Sequence, residues 1–279
     1  MLLSDLQNAT GPAIALWPRG TTPLYDPQIP DQREPAIFPY LLPDAPEAGC
    51  VIVLSGGGYS QTVAHEAEPI AQRFNELGLH AFVLDYRYFP YLYPCCLLDV
   101  KRAVRMVRFH GRAWGVNPER IAVCGFSAGG HLATVLLTHY DGGDPAAADP
   151  VQRVSCRPDA VLPCYTPSDY YAYRPARGIP NLLGPDATLE QIREMTARLN
   201  LLPDTPPVFI MHTAQDEKVP VGHAFALADA LCARGFVCAL HIYPFGRHGM
   251  GTGLRPGQEN FQGQHWMQDA ARFLTELGF

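Results

Sequence analysis

RIAVCGFSAGGHLATVLLTHY (120–140) reads as three pieces joined without slack. Residues 120–124 are an apolar, β-branched run, the pattern of a buried strand. From residue 130 onward Leu132, Val135 and Leu136 recur at helical spacing. Between strand and helix lies Gly125-Phe126-Ser127-Ala128-Gly129, a GxSxG sequence. A serine on so tight a turn projects its hydroxyl beyond the sheet. Glycines two residues to either side remove side chains that would collide with neighbouring backbone. The helix N-terminus then turns free N–H groups and its positive dipole end towards the serine.

On either side of this stretch, further apolar runs alternate with helical patterns. The runs are CVIVL (50–54), HAFVL (80–84), DAVLPC (159–164), PVFIMH (207–212) and CALHIY (238–243). The helical patterns are 65–77, 97–114, 128–140, 221–234 and 263–277. Continuous apolar strands separated by helices predict a mostly parallel sheet covered on both faces, so the fold class is α/β. AIALWP (13–18) and AIFPYLL (36–42) are expected as antiparallel edge strands, an edge being where a strand tolerates proline. Residues 165–206 break the alternation with a Tyr- and Pro-rich loop and a helix-like stretch near 188–199, which predicts a small lid inside a single domain spanning 1–279.

Composition agrees with one ordinary globular domain. Of 279 residues, 47% are hydrophobic and 17% charged, with a formal net charge of −6. An acidic chain draws no broad attraction from phosphate backbones, which argues against nucleic acid as a partner. The start, MLLSDLQNAT, lacks a basic segment followed by an apolar one, and no apolar run reaches membrane-spanning length, so neither a signal peptide nor a membrane span is expected. The eight cysteines form no CxxC pair, which speaks against a zinc or redox site. They are read as reduced thiols, and the location as cytoplasmic. No feature argues for an oligomer.

Serine is a weak nucleophile without a base, and the base needs an orienting acid. In α/β-hydrolases the chain order is serine, acid, histidine. Asp216 follows one strand in HTAQDEKVP, and His248 follows the next in PFGRHGMG. Both therefore lie on the carboxyl edge of the sheet with Ser127, where such sheets bind ligands. Ser55-Gly-Gly-Gly58-Tyr59, directly after strand 50–54, supplies backbone N–H groups at the same edge. The expected oxyanion donors are Gly57, Gly58 and Ala128. Glu217 neighbours Asp216 but would point elsewhere, and Asp204 precedes its strand at the wrong edge. His131, His212, His241 and His265 lie in strands or helices and read as packed or surface residues. Of the loop tyrosines 59, 165, 170, 171 and 173, Tyr59 and Tyr165 are taken as candidate substrate contacts. Asp99 and Arg102 read as a solvated helix face, and DYRYFP (85–90) as structural.

These segments, among them VIVLSGGGYS, PERIAVCGFSAGGHLA and HIYPFGRHGMG, resemble in order the acetylxylan-esterase-like and feruloyl-esterase-like carbohydrate esterases of the α/β-hydrolase superfamily, over roughly residues 36–279. The resemblance implies a serine esterase acting on acetyl, and also feruloyl, esters of xylan or its oligosaccharides. It implies neither metal nor organic cofactor, with nucleophile, acid and base at Ser127, Asp216 and His248. One departure stands out: Ser55 precedes the glycine run where relatives often have His or Pro. An arylformamidase uses the same oxyanion chemistry, and a prolyl-oligopeptidase-type peptidase shares the triad order, though this chain has no room for a propeller. A dienelactone hydrolase would carry Cys at position 127. A non-enzymatic binding module would have lost a triad member.

Overall fold

The computed structural model describes residues 6–26, 28–29, 34–173, 178–253 and 262–279. Their eight strands form one sheet: β1 (Ile14–Ala15), β2 (Ala36–Tyr40), β3 (Ala48–Leu54), β4 (His80–Asp85), β5 (Val116–Phe126), β6 (Ala160–Cys164), β7 (Val208–Thr213) and β8 (Cys238–Tyr243). The order across the sheet is β1-β2-β4-β3-β5-β6-β7-β8. β1 and β2 are antiparallel additions, and β4 through β8 and β3 run parallel. β1 forms the edge, and β2 lies one strand further in. Pro39 is still accommodated, because β1 ends before reaching it. Its carbonyl turns outward to accept from the Thr10 N–H at 2.8 Å.

Side-chain alternation sorts the strands into two cores. Ile52, Leu54, Ile121 and Val123 face α2 (Cys95–His110), α3 (Ala128–His139) and α6 (Gly222–Ala233). Val51, Val53, Ala122 and Cys124 face α1 (Glu68–Glu76) and α7 (Trp266–Glu276). This is the α/β-hydrolase arrangement expected from the sequence. Two short helices, α4 (Ile179–Leu183) and α5 (Leu189–Glu194), sit in the predicted lid, of which residues 174–177 lie outside the described set.

Asp99 and Arg102 correct the sequence reading. Both are buried, at 0% and 4% exposure. Arg87, from the end of β4, lies over the start of α2 and clasps Asp99 with Nε to Oδ2 at 2.9 Å and Nη2 to Oδ1 at 2.8 Å. Arg102 donates to the Leu16 carbonyl at 2.7 Å. The apparent charged face of α2 therefore pins the N-terminal segment and the loop after β4 to the core.

β3 and β5 are neighbours, yet the chain leaves them in opposite directions across the sheet, β3 to β4 and β5 to β6. The crevice at such a switch point is where open α/β sheets hold ligands. Leu54 pairs with Gly125, so the loops that follow these strands begin level with each other.

Candidate active site

Ser127 occupies the turn between β5 and α3 with φ 49° and ψ −116°, outside the regions open to most L-residues. The surrounding glycines explain how the turn closes. A Cβ on Gly125 would sit 2.3 Å from the Gly129 carbonyl oxygen, and one on Gly129 would sit 2.2 Å from that of Leu54. The Ser127 N–H donates to the Cys164 carbonyl at 3.0 Å, tying the turn to β6.

The structure brings Ser127, His248 and Asp216 into one hydrogen-bonded line. Ser127 Oγ lies 2.8 Å from His248 Nε2, and His248 Nδ1 lies 2.7 Å from Asp216 Oδ2. Asp216 Oδ1 accepts from the N–H groups of Lys218 and Val219, each at 2.9 Å. Burial alone would raise this carboxyl. The hydrogen bonds from His248, Val219 and Lys218 outweigh burial and hold it below the usual range. Its neighbour Glu217 is exposed.

The glycine loop after β3 faces Ser127. Gly57 and Gly58 take φ of +128° and +64°, and a Cβ on Gly57 would strike the Gln61 carbonyl at 2.0 Å. Among the described residues, no hydrogen bond uses the N–H groups of Gly57, Gly58 or Ala128. All three residues line a cavity of about 820 Å³ together with Ser127 and His248. Ser55 meets the structural need left by the missing His or Pro. Its hydroxyl accepts from Val63 N–H at 2.7 Å and lies 2.9 Å from the Val63 carbonyl, closing the loop on itself. Asn181 of α4 donates to the Gly58 carbonyl at 2.8 Å, so the lid also holds this loop.

Tyr59 and Tyr165 do not form cavity wall, and this corrects their reading as substrate contacts. Each is 1% exposed. The Tyr59 hydroxyl lies 2.7 Å from His131 Nδ1, whose Nε2 lies 2.9 Å from the Met195 carbonyl. That leaves Nε2 as the donor and Nδ1 as the acceptor, so His131 joins the elbow helix to the lid. Tyr165 donates to Glu66 Oε1 at 2.8 Å and accepts from Gly251 N–H at 3.1 Å. Burial pushes both phenols well up, so they stay protonated. Tyr170 and Tyr173 line the cavity instead.

Sequence reasoning missed Glu66 and His223. Glu66, 2% exposed, accepts from Gly56 N–H at 2.9 Å through Oε2 and from Tyr165 through Oε1. It thus bridges the glycine loop and, through Tyr165, the loop that carries His248. His223, at the start of α6, lines the same cavity as the glycine loop. Nothing in HEAEP or VGHAF marks either residue, since their partners are distant in sequence. Among the described residues, no group of three His, Cys, Asp or Glu is placed to hold a metal ion. No described helix is long and apolar enough to cross a membrane.

Fold and site together define the class: an α/β-hydrolase with a serine, histidine and aspartate aligned at the switch point of its sheet. The family model BD-FAE matches residues 41–231, and the chain belongs to that family. The acetyl ester-xyloside bifunctional hydrolase of Caldicellulosiruptor lactoaceticus has a solved structure that superposes with a TM-score of 0.91 at 38% identity, over 96% of this chain and 97% of that one. Two other relatives are the endo-1,4-beta-xylanase B of Butyrivibrio fibrisolvens, 33% identical over 77% of this chain, and the acetylxylan esterase of Xylanibacter ruminicola, 29% identical over 85%. The chain spans only 34% and 46% of those two proteins.

Proposed function

We propose that the chain is a serine carboxylic ester hydrolase that removes acetyl groups from decorated carbohydrates such as acetylated xylo-oligosaccharides. The observation that carries this reading is the line Ser127 Oγ–His248 Nε2–Asp216 beside three unspent backbone N–H groups. His248 takes the Ser127 proton as Oγ attacks the acyl carbon. The oxyanion is held by the N–H groups of Gly57, Gly58 and Ala128, which need no reorganisation to receive it. His248 then protonates the leaving alcohol and activates the water that releases the acyl group. Asp216 keeps the Nδ1–H tautomer and stabilises the imidazolium. The kinship to an acetylxylan esterase and an acetyl ester-xyloside hydrolase supports an acetylated sugar as substrate. Feruloyl esters are a second reading, favoured by a cavity of about 820 Å³, far more than an acetyl group fills.

The test compares initial rates of 4-nitrophenyl acetate hydrolysis by wild type and Ser127→Ala, followed by acetylated xylo-oligosaccharides and methyl ferulate. Turnover abolished in the variant is the expected result. Equal rates would remove Ser127 from the nucleophile's role. Release of ferulate without release of acetate would reverse the order of the two readings.

A further inference from the structure

His223 is 3% exposed, yet it belongs to the wall of the active-site cavity. Its ring is fixed from several sides. Nδ1 accepts from the Asp169 N–H at 3.1 Å, and its own carbonyl accepts from Ser168 Oγ at 3.0 Å. Asp169 is held in turn, paired with Arg198 and accepting from Ala172 N–H at 2.9 Å. An imidazole whose Nδ1 accepts must carry its proton on Nε2. Among the described residues, no hydrogen bond uses that Nε2–H. The ring of Tyr173 lies 4.3 Å from that of His223 at 36°. Gly222 makes room for it, since a Cβ there would meet the Tyr173 hydroxyl at 2.0 Å. Tyr170 also lines the cavity.

Apolar ring surface beside one fixed, uncharged donor suits a ligand with both C–H faces and hydroxyl groups, which is the chemistry of a sugar. A bare acetyl group would leave most of the cavity and this donor unused. We propose that Tyr170, Tyr173 and His223 form a sugar subsite for the alcohol half of the ester, with His223 Nε2–H donating to a hydroxyl of the bound saccharide. The subsite rests on the carbohydrate-ester reading above. Burial lowers the His223 pKa to about 4, so the donor stays neutral at ordinary working pH. A neutral donor suits a hydroxyl, where a fixed cation would favour an acid.

The experiment measures kcat and KM on 4-nitrophenyl acetate and on an acetylated xylo-oligosaccharide for wild type, His223→Leu, His223→Gln and Tyr173→Ala. Gln can accept from the Asp169 N–H through its oxygen and still present an N–H to the cavity. His223→Leu is expected to raise KM for the oligosaccharide about threefold to tenfold more than for the nitrophenyl ester, the worth of one net hydrogen bond. His223→Gln should recover most of that difference. Tyr173→Ala, in a partly exposed loop, should shift the ratio the same way, and it carries the test together with His223→Gln if His223→Leu does not fold. Equal losses on both substrates would overturn the subsite. So would a changed preference between 4-nitrophenyl acetate and butyrate with the sugar ratio untouched, because that places the wall on the acyl side. Wild type that cleaves the nitrophenyl ester but no acetylated saccharide would remove the carbohydrate reading itself, and the subsite with it. Wild type active on both, with variants equally impaired on both, would remove the subsite alone.

Discussion

Ser127 holds a backbone conformation that costs about 1–3 kcal/mol for a non-glycine residue, and it persists only because its surroundings allow no other. Gly125 and Gly129 are packed against backbone that a single methyl group would displace, and the Ser127 N–H is anchored on β6. All of this is local, which is why the elbow can be read from a few letters. Asp216 and His248 are also readable, because loop order after successive strands assigns them to the same edge. The role proposed for Asp216, orienting His248, gives a sharp prediction. Asp216→Asn keeps the hydrogen bonds of the Lys218 and Val219 N–H groups to one oxygen but offers His248 an amide, which no longer enforces the Nδ1–H tautomer. Turnover of 4-nitrophenyl acetate is expected to fall roughly 10³- to 10⁴-fold with the melting temperature little changed. Stopped-flow or steady-state rates near wild type would shift the orienting role to Glu217.

At the scale of elements, the site is an agreement among loops leaving β3, β5, β7 and β8. The strands were legible because each is a compact apolar run, and only their ends moved. β5, for example, starts at Val116 because that residue pairs with Ala48 across a bulge. What could not be read is how loops lock together. Glu66 touches Gly56 ten residues earlier and Tyr165 ninety-nine residues later. Asp99 meets an arginine that arrives from the preceding strand. Such contacts leave no periodic trace. Loops at the carboxyl edge usually face the cavity, which is why Tyr59 and Tyr165 read as substrate contacts, but both rings are buried and serve as links. Glu66 is a positioning residue in this scheme: it sets the glycine loop through Gly56 and the His248 loop through Tyr165 and Gly251. Glu66→Gln retains volume but cannot accept at both oxygens. We expect kcat to fall on the order of tenfold to a hundredfold with KM within about twofold, since a charge-assisted hydrogen bond is worth about 1.5–3 kcal/mol and acts here on the oxyanion geometry. Tyr165→Phe, which severs only the link to the His248 loop, should lower kcat by less. A variant whose melting temperature drops while kcat is intact would make Glu66 a stabilising residue only.

Over the whole molecule, four imidazoles lie within the fold, and burial lowers the pKa of each: His80, His131, His212 and His223. For His131 and His223 the lowered value is about 4, against 6.5 for the free side chain. Between those limits the unfolded chain binds protons that the folded chain refuses, so stability rises with pH across this interval. The contribution is complete above about 6.5 and is lost as pH falls towards 4. Asp216 and Asp141 are held low as well, Asp141 at about 2, but carboxylates of this kind withdraw their support only below the unfolded value near 3.8. The two classes of group therefore act in separate windows. Urea unfolding at pH 7.5, 6, 5 and 4.5 is expected to show a midpoint that declines steadily from pH 6.5 downward, before any carboxylate of this set titrates. His80 provides the control, because it lies away from the cavity, accepting from Leu42 N–H at 3.0 Å and donating to the Ala45 carbonyl at 3.0 Å. His80→Asn should lower stability at pH 7.5 yet flatten its decline, since one fewer imidazole is forced to stay neutral. A slope unchanged in His80→Asn would show that the His80 ring takes up a proton in the folded state as readily as in the unfolded one.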